Sequence, residues 1–250
     1  ADSNLQAFLT EALLKKANHR SVARRAGGSS EDVPALYPTV ALSSSLPLIA
    51  DLLHGIRNLE KAGIVMGDLG PSSVLLRDGR ASLNDFGSSG LLHNGDPDIA
   101  AELLLDRKPN LIGSAYRHAP ELFASQGTPT GPKNCVWAVG LLAAEMFLGT
   151  CPTKQDSKSA SWDDHEDSRQ EIRRRIHDEF AIERARGFKE LPEDLQEFLC
   201  GMLQKSPTRR WSAVQALDKL SSLAAANGVA LPGGLPWPRL PSGWWELPFQ

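Results

Sequence analysis

Two acidic residues near the middle of the chain, Asp68 and Asp85, have the chemistry of a paired carboxylate site. Asp68 opens a polar turn, and Asp85 comes directly before Phe86 and Gly87. One carboxylate of such a pair can accept a proton from a hydroxyl group, and the other can bind Mg²⁺. The pair therefore predicts chemistry between a hydroxyl and a metal-bound phosphate.

The segment between these carboxylates predicts a β-hairpin that brings them together. An apolar strand over residues 74–76 and a second strand over residues 81–83 flank a turn over residues 77–80. The Asp-Gly pair in that turn is a strong signal for a tight hairpin. We expect the hairpin to hold Asp68 and Asp85 at neighbouring strand ends.

Apolar residues at helical spacing predict a mainly α-helical chain around this hairpin. The run over residues 136–148 is apolar on all sides, which predicts a central buried helix. Asn4 predicts the start of the first helix, and Gly63 predicts the end of the helix before the hairpin. A loop is expected over residues 19–38 and a further short helix over residues 99–105. The other predicted helices cover residues 4–17, 43–62, 136–148, 169–186, 192–204 and 213–225.

The composition is that of one ordinary globular domain. The chain has 250 residues, of which 41% are hydrophobic and 23% charged, and its formal net charge is −3. No basic surface is predicted, so nucleic acid is not an expected partner. The longest apolar run, residues 136–144, is too short to span a membrane. Cys135, Cys151 and Cys200 lack the spacing of a disulfide framework or a zinc site, and we expect buried thiols.

Residues 64–89 resemble the catalytic loop, hairpin and Asp-Phe-Gly motif of a protein kinase. The Ala-Pro-Glu sequence at residues 119–121 is similar to the end of a kinase activation segment. From about residue 4 to residue 225, the order of predicted elements resembles the larger, C-terminal lobe of that fold. The resemblance implies a mainly α fold, with a helical lobe and a small β-hairpin that carries the catalytic loop and Asp-Phe-Gly.

The resemblance also implies a domain organisation. Residues 1–226 are expected to form the kinase-like lobe, and residues 227–250 a Pro/Trp-rich tail packed on it. No Gly-rich phosphate loop, and no strand Lys with a partnering Glu, precedes the first predicted helix. An N-terminal kinase lobe outside this chain is therefore an expected partner, which would cover the nucleotide.

Four residues around the hairpin receive roles from the resemblance. Asp68 matches the catalytic Asp that accepts the proton of the substrate hydroxyl. Asp85 matches the metal-binding Asp, and Ser73 stands where an Asn helps to bind a second Mg²⁺. Leu75 falls at the apolar floor of the adenine pocket. ATP and Mg²⁺ are accordingly the expected cofactors.

Five further residues match the activation segment and its attachment. Phe86 and Gly87 start the segment, and Ser114 lies near its end. Glu121 and Arg210 match a buried ion pair that joins the end of the segment to the last helices. Such a pair is a structural clamp, because breaking it leaves one charge buried without a partner.

Several positions depart from the family pattern. Gly67 replaces an Arg that pairs with a phosphate on the activation segment, which predicts that loop phosphorylation does not activate the protein. Gly70 replaces the Lys that neutralises the transferring phosphate, and Ser73 is a poorer metal ligand than Asn. Cys135 replaces an Asp that anchors the catalytic loop, so another anchor is needed. The Gly67-Asp68 pair is also similar to the divergent rhoptry kinases of apicomplexan parasites, which implies secretion into a host cell.

These matches predict a divergent Ser/Thr-type protein kinase that transfers the γ-phosphoryl group of ATP to a protein hydroxyl. The departures favour an alternative, a pseudokinase that docks to another protein or regulates it allosterically. A phosphotransferase for small molecules is a third hypothesis, which Ala-Pro-Glu and Arg210 disfavour. The chain is expected to be soluble, with a protein substrate or regulated protein as partner, no nucleic acid and no membrane span.

Overall fold

Helices are the main elements of the described residues, and four of the five short strands lie between residues 64 and 91. The computed structural model describes residues 3–25, 38–91, 115–123, 131–154, 176 and 180–234. Its α-helices are α1 (Leu5–Arg25), α2 (Leu42–Lys61), α3 (Lys133–Leu148), α4 (Glu193–Met202) and α5 (Ala213–Ala226). Its strands are β1 (Ser3–Asn4), β2 (Ile64–Val65), β3 (Val74–Arg77), β4 (Arg80–Leu83) and β5 (Gly90–Leu91). Short 3₁₀ turns cover Pro71–Ser73, Ala115–Arg117, Pro120–Phe123 and Ile182–Arg184.

Helix α3 lies at the centre of the core, as its apolar sequence predicts. Every residue of the helix is buried except Lys133 and Glu145. Gly149 follows it at φ +81°, the left-handed conformation that commonly ends a helix. Helices α2 and α4 pack against α3, and α5 packs against α2 and α4. The predicted central buried helix is confirmed, with its start three residues earlier than predicted.

Helix α2 agrees with its predicted range to within one residue at each end. Its apolar stripe is buried and includes Leu46, Ile49, Leu53 and Ile56. Gly63 follows the helix at φ +70°, a conformation that glycine adopts without steric cost. The predicted end of the helix is confirmed.

Helix α1 is longer than predicted. Its start is capped by Asn4, whose Oδ1 accepts a hydrogen bond from the N–H of Ala7 at 2.9 Å. The sequence predicts a loop over residues 19–38, but the helix continues to Arg25. That prediction is wrong for residues 19–25 because they contain neither Gly nor Pro, and the absence of apolar periodicity does not by itself end a helix.

Helices α4 and α5 confirm two further predictions, and α5 begins with a reciprocal cap. The Oγ of Ser212 accepts a hydrogen bond from the N–H of Gln215 at 3.3 Å. The Oε1 of Gln215 in turn accepts one from the N–H of Ser212 at 2.9 Å. This capping box satisfies two backbone donors that the first turn of the helix leaves unpaired.

The helix predicted over residues 169–186 is wrong for residues 180–186. Ala181 is extended, and a 3₁₀ turn covers Ile182–Arg184. Phe180, Ile182 and Phe188 are buried in the core. Their packing holds this stretch in an irregular path and overrides the charged helical pattern of the sequence.

Some predictions fall outside the described residues. These are the short helix over residues 99–105, the position of Ser114, and the tail from residue 235 onward with its tryptophans. In the described start of the tail, Val229 and Leu231 pack against the core. None of the described helices is both long enough and apolar enough to cross a membrane.

Candidate active site

Two antiparallel pairings bring the segments of Asp68 and Asp85 side by side. Strands β3 and β4 form the predicted hairpin, and β2 pairs with β5. At the open end of the hairpin, just beyond the Val74–Leu83 pair, the carbonyl of Ser73 accepts a hydrogen bond from the N–H of Asn84 at 2.9 Å. We call these two strand pairs, β2–β5 and β3–β4, the ribbons. Asp68 lies in the segment from β2 to β3, and Asp85 lies in the segment from β4 to β5. Both carboxylates therefore belong to segments that connect the two ribbons.

A tight turn forms the hairpin, and a buried carboxylate anchors it. Asp78 and Gly79 have φ angles of +49° and +75°, as in the type I′ turn that Asp-Gly favours. Asp51 on α2 accepts hydrogen bonds from Nε and Nη2 of Arg80 and from the N–H of Ala81, at 2.9, 2.6 and 2.9 Å. Asp51 therefore attaches the hairpin to α2. This anchor was not predicted from the sequence, although an acidic residue on the buried stripe of a helix is a signal for a cationic partner.

A serine hydroxyl closes the loop that carries Asp68. Ser73 is buried, and its Oγ accepts a hydrogen bond from the N–H of Gly70 at 2.9 Å. The same Oγ lies within donating distance of the carbonyl oxygens of Gly70, at 2.9 Å, and of Asp68, at 3.4 Å. A hydroxyl has one donor and two lone pairs, so one lone pair of Ser73 remains for another partner.

The backbone of Asp85 has a conformation that is uncommon for its residue type. Its φ is +62°, in the left-handed region, and the residue is exposed. Gly87 lies close to its carboxylate: a Cβ atom at Gly87 would be 3.4 Å from Oδ1 of Asp85. Left-handed residues other than glycine cluster at functional sites, where the surrounding structure must hold them. The conformation supports a positioned carboxylate at this site.

Gly67 permits a close approach between the two segments. A Cβ atom at Gly67 would lie 2.3 Å from the carbonyl oxygen of Ser88, far inside van der Waals contact. The residue before Asp68 must therefore lack a side chain if the segment after Asp85 is to follow this path. The replacement of the family Arg by Gly thus has a steric basis in addition to its electrostatic consequence.

Cys135 supplies an anchor for the loop in place of the missing Asp. Its Sγ lies 3.6 Å from the carbonyl oxygen of Met66 and donates a weak hydrogen bond to it. Burial raises the pKa of the Cys135 thiol to about 12, so the thiol stays protonated and remains a donor. The bond ties α3 to the backbone two residues before Asp68.

The buried Arg117 and the largely buried Glu145 form an ion pair beside the same loop. Arg117 is 6% exposed, and its Nη2 donates to Oε1 of Glu145 at 2.5 Å. A Cβ atom at Gly70 would lie 3.4 Å from Cδ and 3.6 Å from Nε of Arg117, so the arginine packs directly on the loop. This pair was not predicted from the sequence. Its signal is Glu145, an acidic residue within the apolar run of α3 that needs a cation nearby.

The ion pair expected between Glu121 and Arg210 is present. Nη1 and Nη2 of Arg210 donate to the two carboxylate oxygens at 2.6 and 2.8 Å, and the side chains are 2% and 0% exposed. Arg210 also donates to the carbonyls of Lys133 and Gln204, and its guanidinium lies 5.1 Å from the ring centre of Trp137. These contacts connect the Ala-Pro-Glu turn to the start of α3 and to the segment before α5.

Two apolar side chains lie on the surface of the hairpin region. Leu75 and Phe86 are 44% and 46% exposed. Leu75 points outward because side chains alternate along a strand, and its neighbours Val74 and Leu76 are buried. Apolar surface of this kind is suited to pack against a nucleotide base or another protein segment.

The donors for a metal ion are few. The described residues contain no group of three or more His, Cys, Asp or Glu side chains that could hold one. Mg²⁺ differs from most metals in this respect, because it commonly uses one or two carboxylates together with substrate phosphates and water. The exposed carboxylate of Asp85 and the remaining lone pair of Ser73 fit a site of that type.

The chain is similar to known protein kinases and to a kinase-like protein. Residues 40–220, more than half of the chain, match the family of the protein kinase domain. A probable serine/threonine-protein kinase of Bifidobacterium longum, pknA2, is 29% identical over 121 residues, which are 48% of this chain and 14% of that protein. The serine/threonine-protein kinase PAK mbt of Drosophila melanogaster is 28% identical over 166 residues, 66% of this chain and 22% of that protein. A human TBC domain-containing protein kinase-like protein is 28% identical over 131 residues, 51% of this chain and 15% of that protein.

The chain spans less than a quarter of the length of each of these relatives. The family match begins just before α2, ends within α5, and includes the hairpin, both carboxylates and the buried ion pair of Arg210. The helical architecture with its small sheet is compatible with the helical lobe of that family. On the extent of this match, the chain belongs to the protein kinase domain family.

Proposed function

We propose that this chain is the larger lobe of a Ser/Thr-type protein kinase, which transfers the γ-phosphoryl group of ATP to a hydroxyl of a protein. The main support for the proposal is that the segments of Asp68 and Asp85 both lie between the two β-ribbons, and that the backbone of Asp85 has a left-handed conformation. Serine/threonine kinases among the relatives support the class of hydroxyl.

Asp68 is the proposed proton acceptor. As the hydroxyl oxygen of the substrate forms a bond to the γ-phosphorus, the bond from that phosphorus to the bridging oxygen breaks, and its electron pair leaves with ADP. The proton of the hydroxyl passes to the Asp68 carboxylate. Hydrogen bonds of Ser73 and Cys135 hold the backbone on both sides of Asp68, so the carboxylate keeps its position during transfer.

Asp85 is the proposed main ligand of Mg²⁺, and Ser73 is the proposed second ligand. The bound metal would neutralise charge on the phosphates. Ser73 can keep the hydrogen bond from the N–H of Gly70 while its remaining lone pair binds the metal. A hydroxyl shared in this way is a weak ligand, so Asp85 and the phosphates carry most of the binding.

The exposed apolar residues indicate how the nucleotide would be enclosed. Leu75 is the proposed floor of the adenine pocket, and an N-terminal kinase lobe outside this chain is proposed to cover it. Burial of Leu75 and Phe86 under such a lobe would remove apolar surface from water, which is favourable. Residues 1–226 as the lobe and 227–250 as its tail remain the proposed division. Membership of the rhoptry kinases, with secretion into a host cell, stays a prediction from Gly67 and Asp68.

A pseudokinase is the second candidate function, and the catalytic loop itself favours it. Residues 66–73 contain no Lys, Arg or His, so this loop provides no cation of its own for a transferring phosphate. In that case the lobe would bind and regulate another protein, and Asp68 would have no chemical role.

Asp68→Asn in the full-length protein tests the proposed function. An amide cannot accept the hydroxyl proton, so we expect phosphoryl transfer to fall by about 100-fold or more. Binding of Mg²⁺-ATP should stay within about twofold of wild type, because proton transfer does not contribute to ground-state binding. Transfer is measured with radiolabelled ATP and binding by calorimetry. Asp218→Asn, at an exposed position of α5, is the matched control.

The outcomes separate the two candidate functions. Binding of Mg²⁺-ATP by the wild-type protein without transfer, or no binding at all, would replace the kinase by the pseudokinase. Transfer that is unchanged in Asp68→Asn would exclude Asp68 as the base.

A further inference from the structure

The loop of Asp68 lacks a cation, although phosphoryl transfer places negative charge beside it. Residues 66–73 contain one carboxylate and no basic side chain, and Asp85 adds a second carboxylate nearby. The phosphates of ATP bring further negative charge. Charge that develops in the transition state is stabilised most by a cation that is already held in place. A working site therefore needs a positive group from another part of the chain.

Arg117 reaches this loop from the 3₁₀ turn before Ala-Pro-Glu. Its Cδ and Nε would lie 3.4 and 3.6 Å from a Cβ atom at Gly70. A side chain at position 70 would therefore be in ordinary van der Waals contact with the aliphatic part of Arg117. The arginine is thereby brought against the backbone two residues beyond Asp68.

The guanidinium of Arg117 has a nitrogen that is buried and unpaired. Nη2 donates to Glu145, whereas Nη1 is buried and has no hydrogen-bond partner in the described part of the chain. The whole residue is 6% exposed. A buried donor without an acceptor is costly to keep. Oε2 of Glu145 is buried and unpaired as well, so Nη1 can pair either with that oxygen or with an acceptor that arrives with the substrates.

The surroundings of Arg117 keep its charge and its orientation. Burial alone would lower its pKa, but Cys151 and Glu145 outweigh burial, and the pKa of Arg117 lies above its ordinary value. The guanidinium also lies 5.3 Å from the ring centre of Tyr116. Since Glu145 holds Nη2, the position of Nη1 is defined as well. A planar guanidinium can donate to a carboxylate with one terminal nitrogen and to a phosphate with the other.

We propose that Arg117 is the phosphate-binding cation of this site and provides the positive charge that the loop of Asp68 lacks. The inference rests on the proposed function and names a further catalytic residue for the same transfer. Nη1 of Arg117 donates to an oxygen of the γ-phosphoryl group while the substrate oxygen bonds to the γ-phosphorus. The bond to the bridging oxygen breaks with its electron pair, the hydroxyl proton goes to Asp68, and Arg117 keeps all its protons.

The test compares two nucleotides that differ in the γ-phosphate. Full-length wild type and Arg117→Met are titrated by calorimetry with Mg²⁺-ADP and with a non-hydrolysable Mg²⁺-ATP analogue. Loss of one charge-assisted hydrogen bond should weaken binding of the analogue about tenfold and leave ADP binding unchanged. In a transfer assay, kcat should fall about 100-fold. A purely structural role would not make the loss selective for the γ-phosphate.

Further variants guard against a loss of folding. Arg117→Met leaves Glu145 buried without a cation, so the double variant Arg117→Met/Glu145→Gln is measured alongside it, with thermal unfolding as the check. Addition of Gly70→Lys to this double variant returns a cation to the loop and should restore the preference for the ATP analogue. Lys219→Met, which breaks an exposed ion pair with Glu197, is the control and should leave both affinities unchanged.

The inference is supported if Arg117→Met weakens binding of the ATP analogue selectively and Gly70→Lys restores it. This result would support the inference even if the protein transfers no phosphate. The binding preference does not depend on turnover, so a protein that binds both nucleotides but transfers no phosphate fails the proposed function and can still support this inference. Equal weakening of both nucleotides in the folded double variant overturns the inference. An unchanged preference, or wild-type protein that binds neither nucleotide, overturns it as well.

Discussion

At the scale of single residues, buried charges attach the loops of this lobe to its helices. Arg210 pairs with Glu121 through two hydrogen bonds and uses further N–H groups on backbone carbonyls. Asp51 on α2 is matched by Arg80 of the hairpin in the same way. Because a buried charge without a partner is costly, each pair strongly favours one arrangement of loop and helix.

Arg210→Met should destabilise the lobe by about 3–5 kcal/mol, because it leaves the buried carboxylate of Glu121 without a cation. The free energy of unfolding in urea measures this effect. The control is Lys219→Met, whose ion pair with Glu197 is exposed and should contribute no more than about 1 kcal/mol. Similar losses in the two variants would contradict the structural role assigned to Arg210.

At the scale of helices, two glycines allow α3, α4 and the start of α5 to approach one another closely. A Cβ atom at Gly201 of α4 would lie 2.3 Å from ring atoms of Trp211. The N–H of Trp211 also donates to the carbonyl of Gly201 at 3.1 Å. Gly140 of α3 meets Leu203 in a similar way, at 2.9 Å. These glycines allow the helices to pack closely.

Gly201→Ala should destabilise the protein, although alanine is the better helix former. Helix propensity favours the change by about 1 kcal/mol, whereas overpacking against the large, partly buried ring of Trp211 costs about 1–3 kcal/mol or more. A lower midpoint of denaturant unfolding is the expected result. Gly233→Ala is the matched control, since no atom lies within 4 Å of its Cβ, and it should change stability by less than about 0.5 kcal/mol. A stabilised Gly201→Ala variant would show that the Trp211 ring can move aside.

At the scale of the whole molecule, apolar residues serve two separate purposes. Those of α2, α3, α4 and α5 form one buried core. Leu75 and Phe86 instead remain exposed in the region of the carboxylates. Since they contribute little to the core, the proposed role of this surface is to bind adenine and the N-terminal lobe.

Leu75→Ala in the full-length protein should weaken ATP binding about tenfold, since burial of a leucine side chain against a ligand contributes about 1.5–3 kcal/mol. Calorimetry measures the affinity. The midpoint of unfolding without nucleotide should change little, because Leu75 is already 44% exposed. Val214→Ala, at a position on α5 that is 43% exposed, is the control and should leave ATP affinity unchanged. Equal ATP affinities of the two variants would remove Leu75 from the adenine pocket.

The sequence by itself determined most of the helices, the hairpin and the position of the candidate site. Helical spacing predicted α2 and α3, and Asp78-Gly79 predicted the hairpin turn, because periodicity and turn chemistry are local properties of the chain. The resemblance to kinases located Asp68, Asp85 and the Glu121–Arg210 pair. Local pattern was weakest for the end of α1 and for residues 180–186, where helix formation depends on packing as well as on residue type.

Only the tertiary structure decided which distant side chains meet at the site. The contact of Arg117 with Gly70, the attachment of the hairpin by Asp51, and the bond from Cys135 to Met66 all join residues far apart in sequence. Such contacts depend on how helices and strands pack against one another, and local periodicity carries no information about that packing. The cation proposed for phosphate binding therefore could not be found from the motifs around Asp68.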